Sequence, residues 1–333
     1  MPGTQQIAQS TVVRVINIAK KLKSFGYECV INFIDVPSFK YNIQAVKRAD
    51  VVFVHKIQTN RFAIIEPTFL PLFMAGRLSN KLIFDFDDAI FLTFPGLFEM
   101  VVHESDLVFA GSHLLYGYAS KFNNKTHLIP SAVRTDVFKP LNSLRDKNTV
   151  VIGWHGSVAN QLNNLKMLTP VLRSLTRYDI IFKLLGTKGN KNIQNFFRKQ
   201  LPNIKVEFGL DEWVPYEQVP LLLANVDIGV SPLKDNIWNR GKCAMKLLEY
   251  MALGLPVVAS NVGEHSYIIR NGYNGFLASS TEEWVKFLSM LIEDTSLRRE
   301  MGTNARKFIE KHYSLDMISL KIKNSIEEIL QEV

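Results

Sequence analysis

The chain has 333 residues, 47% hydrophobic and 21% charged, which suits two globular domains of ordinary size and excludes a disordered chain. Its two cysteines, Cys29 and Cys243, are too few and too scattered for a disulfide framework or a metal cluster, and point to a reducing compartment. The net charge of +8 is uneven, with about +6 in the first sixty or so residues; this favours an anionic partner, and without zinc spacing, an aromatic-rich basic motif or a basic tail, nucleic acid is the weakest candidate.

Residues 1–10 are polar and carry no structural signal. Residues 11–24 read as an amphipathic helix with Val12, Ile16 and Leu22 inward, a basic end at Lys20, Lys21 and Lys23, and Gly26 as its stop. That basic end matches an anionic membrane surface, with an ordinary solvated helix face as the plain alternative. A strand is expected over 28–33, then one over 50–54 that ends at His55 and Lys56. Residues 62–76 form the most apolar run, but Glu66, Pro67 and Pro71 interrupt it, and no run reaches the ~18–20 residues that span a bilayer. With no apolar signal-peptide core either, a cytoplasmic protein is expected, or one peripheral at the cytosolic membrane face. A helix over 66–78, strands over 81–85, 106–110 and 126–130, and a Gly111-Ser112 turn into a helix complete the first half.

The polar stretch 141–148 reads as a linker. A second alternating series begins with a strand over 150–155 entering the turn Gly156-Ser157. Helix 160–176 follows, then strands 179–185, 204–208 and 226–230, with helices near 190–200 and 216–224. Turns at Gly186–Gly189 and Glu207–Gly209 lie at strand ends. Three helices, 281–293, 295–311 and 316–332, close the chain. Strands alternating with helices mean parallel βαβ units, so the fold class is α/β with two Rossmann-like doubly wound parallel sheets. The expected domains are 1–140, 141–315 and a C-terminal helix 316–333 packing back on the first.

Residues 227–278 concentrate the chemistry. A strand enters an irregular polar stretch at 233–240, and helical spacing then runs from Gly241 to Ala252. A second buried strand at Val257 leads to Gly263 and a helix start at Glu264. Both helix N-termini should point to one edge of a parallel sheet, where free N–H groups and the dipole favour an anion. Arg240, Lys242 and Lys246 crowd the first start, and Lys242 and Lys246, four apart, share a face on this reading. Glu249, one turn on, can accept hydrogen bonds from vicinal hydroxyls. Cations for a diphosphate and a carboxylate for a ribose make a nucleotide-diphosphate site; a solvated basic helix end with a Lys246–Glu249 pair is the plain alternative.

The stretch Glu249-Tyr-Met-Ala-Leu-Gly254-Leu-Pro256-Val-Val-Ala-Ser260, with Gly263 and Asn271-Gly-Tyr-Asn-Gly275-Phe-Leu, resembles the donor-site signature of the family 4 (group 1) retaining glycosyltransferases, which have the GT-B fold. The resemblance implies that Glu249 binds the donor ribose and that the reaction is sugar transfer with retention, without cofactor or metal. It departs at Gly241, where the family has its first Glu, and in Gly153–Ser157, where the usual Gly-Arg is replaced by Gly156-Ser157, a nest of N–H groups suited to phosphate. Arg240, Lys242 and Lys246 would supply the missing charge and stabilise the leaving diphosphate. Phe208, Gly209 and Leu233 fall where the family places the nucleobase, and Gly263 and Glu264 where sugar or diphosphate is held. On the first half, Asp85-Phe-Asp87-Asp88 has Asp-x-Asp spacing but stands at a strand end; the resemblance to GT-B enzymes, in which this loop faces the acceptor, implies acceptor or sugar contacts for Asp87 and Asp88, with helix capping by Asp88 the alternative. His55, on the same edge, is an acceptor-side candidate, and His155 lies closer to the donor phosphates. A strand normally precedes the family's first helix, so either the first sheet lacks it or the sequence starts late. The implied partners are a nucleotide sugar, a glycan or lipid-linked acceptor and an anionic membrane surface. A sugar-nucleotide epimerase and a non-catalytic GT-B protein that binds a nucleotide sugar are the competing readings.

Overall fold

The strands β1 (Val51–His55), β2 (Lys81–Phe86), β3 (Leu107–Ala110) and β4 (Thr126–Leu128) lie side by side in that order, all parallel. A second sheet holds β5 (Val150–His155), β6 (Ile180–Leu185), β7 (Lys205–Gly209), β8 (Ile228–Ser231), β9 (Val257–Ser260) and β10 (Phe276–Ala278), in the order β10-β9-β8-β5-β6-β7, again all parallel. This computed structural model describes residues 8–31, 43–57, 73, 74, 77, 80–140, 149–209, 212 and 214–331. The chain divides into two units: one contains Val133–Asn239 and Ala244–Ser314, the other Ile7–Ala132, Arg240–Cys243 and Leu315–Val333.

In the unit with the four-stranded sheet, strand alternation sorts the side chains. Leu82, Phe84 and Phe86 pack with Phe98, Val102 and Leu115 of helices Pro95–Glu104 and His113–Ala119. Ile83 and Phe109 point the other way, onto Ile18 and Leu22 and onto Ile318, Ile322 and Ile326 of helix Leu315–Gln331. Asp85 shares the Ile83 face, so it meets the helical segment that starts at Gln9. The inward residues of that segment are Val13, Arg14, Asn17, Ile18 and Leu22, not Val12 and Ile16. The cause is a π turn over Val12–Ile16, where the Asn17 N–H reaches the Val12 carbonyl and rotates the inward stripe.

Other expectations also change. Residues 28–31 are not strand, and the rest of the 28–33 segment lies outside the described residues, as do most of 66–78 and all of 141–148. Helix 160–176 is two helices, Val158–Leu165 and Leu168–Arg173. Residues 207–209 are the end of β7 rather than a turn. Helix 241–252 begins only at Met245, because Ala244 takes a left-handed backbone (φ 52°) and breaks the helical register. Among the described residues no helix is long and apolar enough to cross a membrane.

Candidate functional site

In the six-stranded sheet the chain steps outward from β5 to β6 to β7, then returns to the far side of β5 for β8. The order reverses between β5 and β8, and a doubly wound sheet opens its ligand crevice outside the strand ends at that point. His155, Gly156 and Ser157 follow β5; Pro232 and Leu233 follow β8. The site is therefore set by topology before any side chain is considered.

Glycines line this edge because backbone must meet backbone. Gly156 has φ +132°, and the Gly156 N–H donates to the Leu185 carbonyl at 3.1 Å. Gly186 (φ +100°) sits so close that an added Cβ would lie 2.0 Å from the Gly156 oxygen, and its own N–H donates to Gly209 at 2.8 Å. A Cβ on Gly156 would instead meet Lys246, 2.5 Å from Cε and 3.1 Å from Nζ. The Lys246 ammonium thus rests against the Gly156 turn, 5.2 Å over the Trp154 ring. Ser157 occupies the cap position of helix Val158–Leu165 without a side-chain cap bond, and it is exposed.

Behind this turn Glu249 is fully buried, its Oε2 3.0 Å from Nε2 of His155, which is also buried. The His155 N–H donates to the Tyr250 hydroxyl at 3.1 Å, and burial pushes that phenol well above its ordinary value. The ends of β8 and β9 are tied by a chain of polar contacts. The Leu233 N–H donates to Ser260 Oγ at 2.8 Å; His265 Nδ1 lies 3.0 Å from the Ser260 carbonyl and Nε2 3.1 Å from Ser231 Oγ. A carbonyl accepts only, so Nδ1 carries the proton, and burial lowers His265 to about 4, keeping the ring neutral. The stretch after Leu233 is pinned by Asn164, which accepts from the Lys234 N–H at 2.9 Å, and by Asn239, which donates to the Lys234 carbonyl at 2.8 Å.

Gly156, Leu233, Lys246 and Glu249 are the predicted residues that these contacts organise, and Ser157 stands exposed beside them. Phe208 and Gly209 lie at the end of β7, with the Arg198 guanidinium 5.0 Å over the Phe208 ring. Gly263 (φ +55°) and buried Glu264 precede the short helix His265–Ile268. Arg240 is exposed at the end of helix Ile237–Arg240. Lys242 and Lys246 do not share a helix face: Lys242 falls outside helix Met245–Ala252 and belongs to the unit that holds the four-stranded sheet.

That unit holds a second polar cluster. Arg14 (5% exposed) donates through Nε to Asp85 Oδ2 at 2.9 Å and through Nη2 to Asp85 Oδ1, and Nη2 also donates to the Ile129 carbonyl at 3.0 Å. His55 Nδ1 lies 2.6 Å from Asp85 Oδ2. Burial alone would raise the Asp85 carboxyl, but Arg14 and His55 outweigh it and hold it down at about 2. Lys56 follows with a left-handed backbone (φ 63°), a strain of about 1–2 kcal/mol. Its ammonium lies 2.5 Å from Asp87 Oδ1 and 2.9 Å from Asp88 Oδ2, so Asp88 faces a lysine rather than capping a helix. Lys242 also faces Asp88, yet burial wins and lowers it. Ser112 Oγ donates to the Gly241 carbonyl at 3.0 Å, and Cys243 Sγ to the Asp87 carbonyl at 3.3 Å.

Sequence reading missed Arg14, Lys56, Trp154 and Tyr250. Arg14 interrupts an apolar stripe, the only signal it left; the pairing of Lys56 depends on a β1–β2 register that no local pattern carries.

A family model described as "Glycosyl transferases group 1" matches residues 140–308. A putative teichuronic acid biosynthesis glycosyltransferase of Bacillus subtilis, TuaH, is 25% identical over 175 residues, 49% of this chain and 42% of that protein. An uncharacterized glycosyltransferase of Methanocaldococcus jannaschii is 28% identical over 155 residues, 45% of this chain and 41% of that protein. The matches span less than half the length of these two relatives. Among solved structures, a glycosyltransferase from Rickettsia africae superposes with a TM-score of 0.72 at 18% identity, over 98% of this chain and 97% of that one. Anabaena HepE in complex with UDP and glucose gives 0.69 at 15% identity, over 98% of both chains. These structures share the fold, two parallel-sheet α/β units of the GT-B kind.

Proposed function

Because the chain belongs to the glycosyl transferases group 1 family, we propose that it moves a sugar from a nucleotide diphosphate sugar to a hydroxyl of a glycan or lipid-linked acceptor, with retention of the anomeric configuration as in family 4. The observation that carries this reading is the Lys246 ammonium seated against the Gly156 turn at the strand-order reversal, with Glu249 buried one helical turn away. The Ser157 N–H and hydroxyl and Lys246 would bind the diphosphate at the Gly156 turn, whose own N–H is committed to the Leu185 carbonyl. Leu233, Phe208 and Gly209 would flank the base, Glu249 the ribose, and Gly263 and Glu264 the sugar. Asp87, Asp88 and His55 are assigned to the acceptor.

The anomeric C–O bond breaks with its electrons leaving on the diphosphate, the acceptor oxygen bonds to the same carbon, and the acceptor proton passes to the leaving phosphate. Cations and aligned N–H groups lower this barrier by stabilising the leaving charge. The test is incubation with UDP-, GDP- and dTDP-sugars, scored for nucleotide release, with UDP-glucose first because HepE has been solved with UDP and glucose. Release by the wild type and at least tenfold weaker donor binding by K246A are expected. No release and no nucleotide binding across the panel would refute the reading.

A further inference from the structure

Two carboxylates held within a few ångströms of one point repel each other, and a cation placed between them relieves that repulsion. Here Lys56 provides one from the next strand. Its Nζ stands 2.5 Å from Asp87 Oδ1 and 2.9 Å from Asp88 Oδ2. The reach depends on two backbone features: the left-handed turn at Lys56, and its N–H donating to the Asp85 carbonyl at 2.8 Å, which extends the β1–β2 ladder by one bond past His55. Backbone strain of this kind persists only where the surroundings impose it, and it gathers at working sites. The two carboxylates are unequal: the Asp87 side chain is 12% exposed, the Asp88 side chain 42%. One arm of the clamp is anchored in the fold and the other opens to solvent.

We propose that Lys56 is a tethered counter-ion, occupying the position between Asp87 and Asp88 that a divalent cation would otherwise take and holding Asp88 aimed at the hydroxyl of an acceptor. Lys56 is then a positioning residue that touches the two carboxylates, and Asp88 is the group that meets the ligand. Burial by itself would raise the Asp88 carboxyl; the charge and hydrogen bond of Lys56 outweigh it, with Lys242 and His55 adding to the field. Among the described residues, Arg14, Cys243 and Lys242 also lie near Asp87. The acceptor role rests on the glycosyltransferase reading; the counter-ion role does not.

The experiment separates the two. Mn²⁺ is titrated into wild type, K56M and K56R, following the free-ion signal by electron paramagnetic resonance, with circular dichroism to verify folding. K56M should bind Mn²⁺ about tenfold or more tightly than wild type, since two unneutralised carboxylates remain. K56R keeps the charge and should match wild type. In the K56M background, D87N with D88N should abolish the gain. Carboxyl ¹³C shifts should place the Asp88 titration higher in K56M than in wild type, a change that mere loss of packing would not produce. Unchanged Mn²⁺ affinity in K56M, or a gain that survives D87N/D88N, overturns the proposal. If nucleotide release has been found, K56M should raise KM for the acceptor more than KM for the donor. If no donor is turned over, the glycosyltransferase reading fails while the Mn²⁺ result still decides the role of Lys56.

Discussion

Gly156→Ala probes the contact on which the donor site rests. A methyl group at Gly156 would sit 2.5 Å from Lys246 Cε, whereas carbon atoms in ordinary contact lie ~3.5–4.0 Å apart. The lysine tip is flexible, so it retreats by about 1–1.5 Å and takes its ammonium along. With an effective dielectric of ~20, moving a unit charge from about 4 to about 5.5 Å from a phosphate charge loses ~1 kcal/mol, roughly five- to tenfold in affinity. Separately, φ +132° is a conformation that alanine adopts only under strain, adding about 1–3 kcal/mol to the cost of folding. Isothermal titration with a nucleoside diphosphate and urea denaturation measure the two effects on the same samples. The cycle of G156A, K246A and the double variant distinguishes them: with the lysine tip gone, the methyl has nothing to displace. G156A should therefore cost little further affinity in the K246A background. Fully additive binding losses would refute the reasoning, because Gly156 would then act on the ligand independently of Lys246.

Gly186→Ala should be worse for folding and is not relieved by any side-chain movement, since its methyl would lie 2.0 Å from the Gly156 carbonyl oxygen; urea denaturation should show a loss of about 3 kcal/mol or more. Asp85→Asn leaves the buried Arg14 guanidinium without its counter-charge, and a loss of about 3–5 kcal/mol is expected; wild-type stability would contradict the pairing. Asp85 has a folded-state pKa of about 2, below its ordinary value, so its contribution of about 2 kcal/mol is present above ~pH 4 and lost as pH falls towards 2. His265 stays neutral in the fold down to about pH 4 but takes up a proton at its ordinary 6.5 when unfolded. Stability should consequently fall by about 3 kcal/mol between ~pH 6.5 and 4, a slope that H265Q removes and that denaturation at stepped pH would reveal. If Lys20 and Lys23 meet an anionic membrane, the chain should sediment with anionic liposomes in a salt-sensitive way, and neutral liposomes should leave it in solution.

The local pattern of the chain already held the two parallel α/β halves, most strand positions to within a residue or two, and the stretch from Glu249 to Ser260 that carries the family resemblance. Apolar runs of four to six residues bounded by glycine and polar turns specify buried strands wherever they are placed, because hydrophobic burial and backbone hydrogen bonding both act over short spans. Tertiary structure decided which of the charged residues meet. Lys242 and Lys246 sit four apart in sequence, yet one left-handed residue, Ala244, sends Lys242 to Asp88 and leaves Lys246 against Gly156. A π turn at Val12–Ile16 swings Arg14 inward to Asp85, 71 positions away. Helical and strand periodicity describe one element at a time. An ion pair between elements depends on register and on backbone exceptions, which only the assembled sheet imposes.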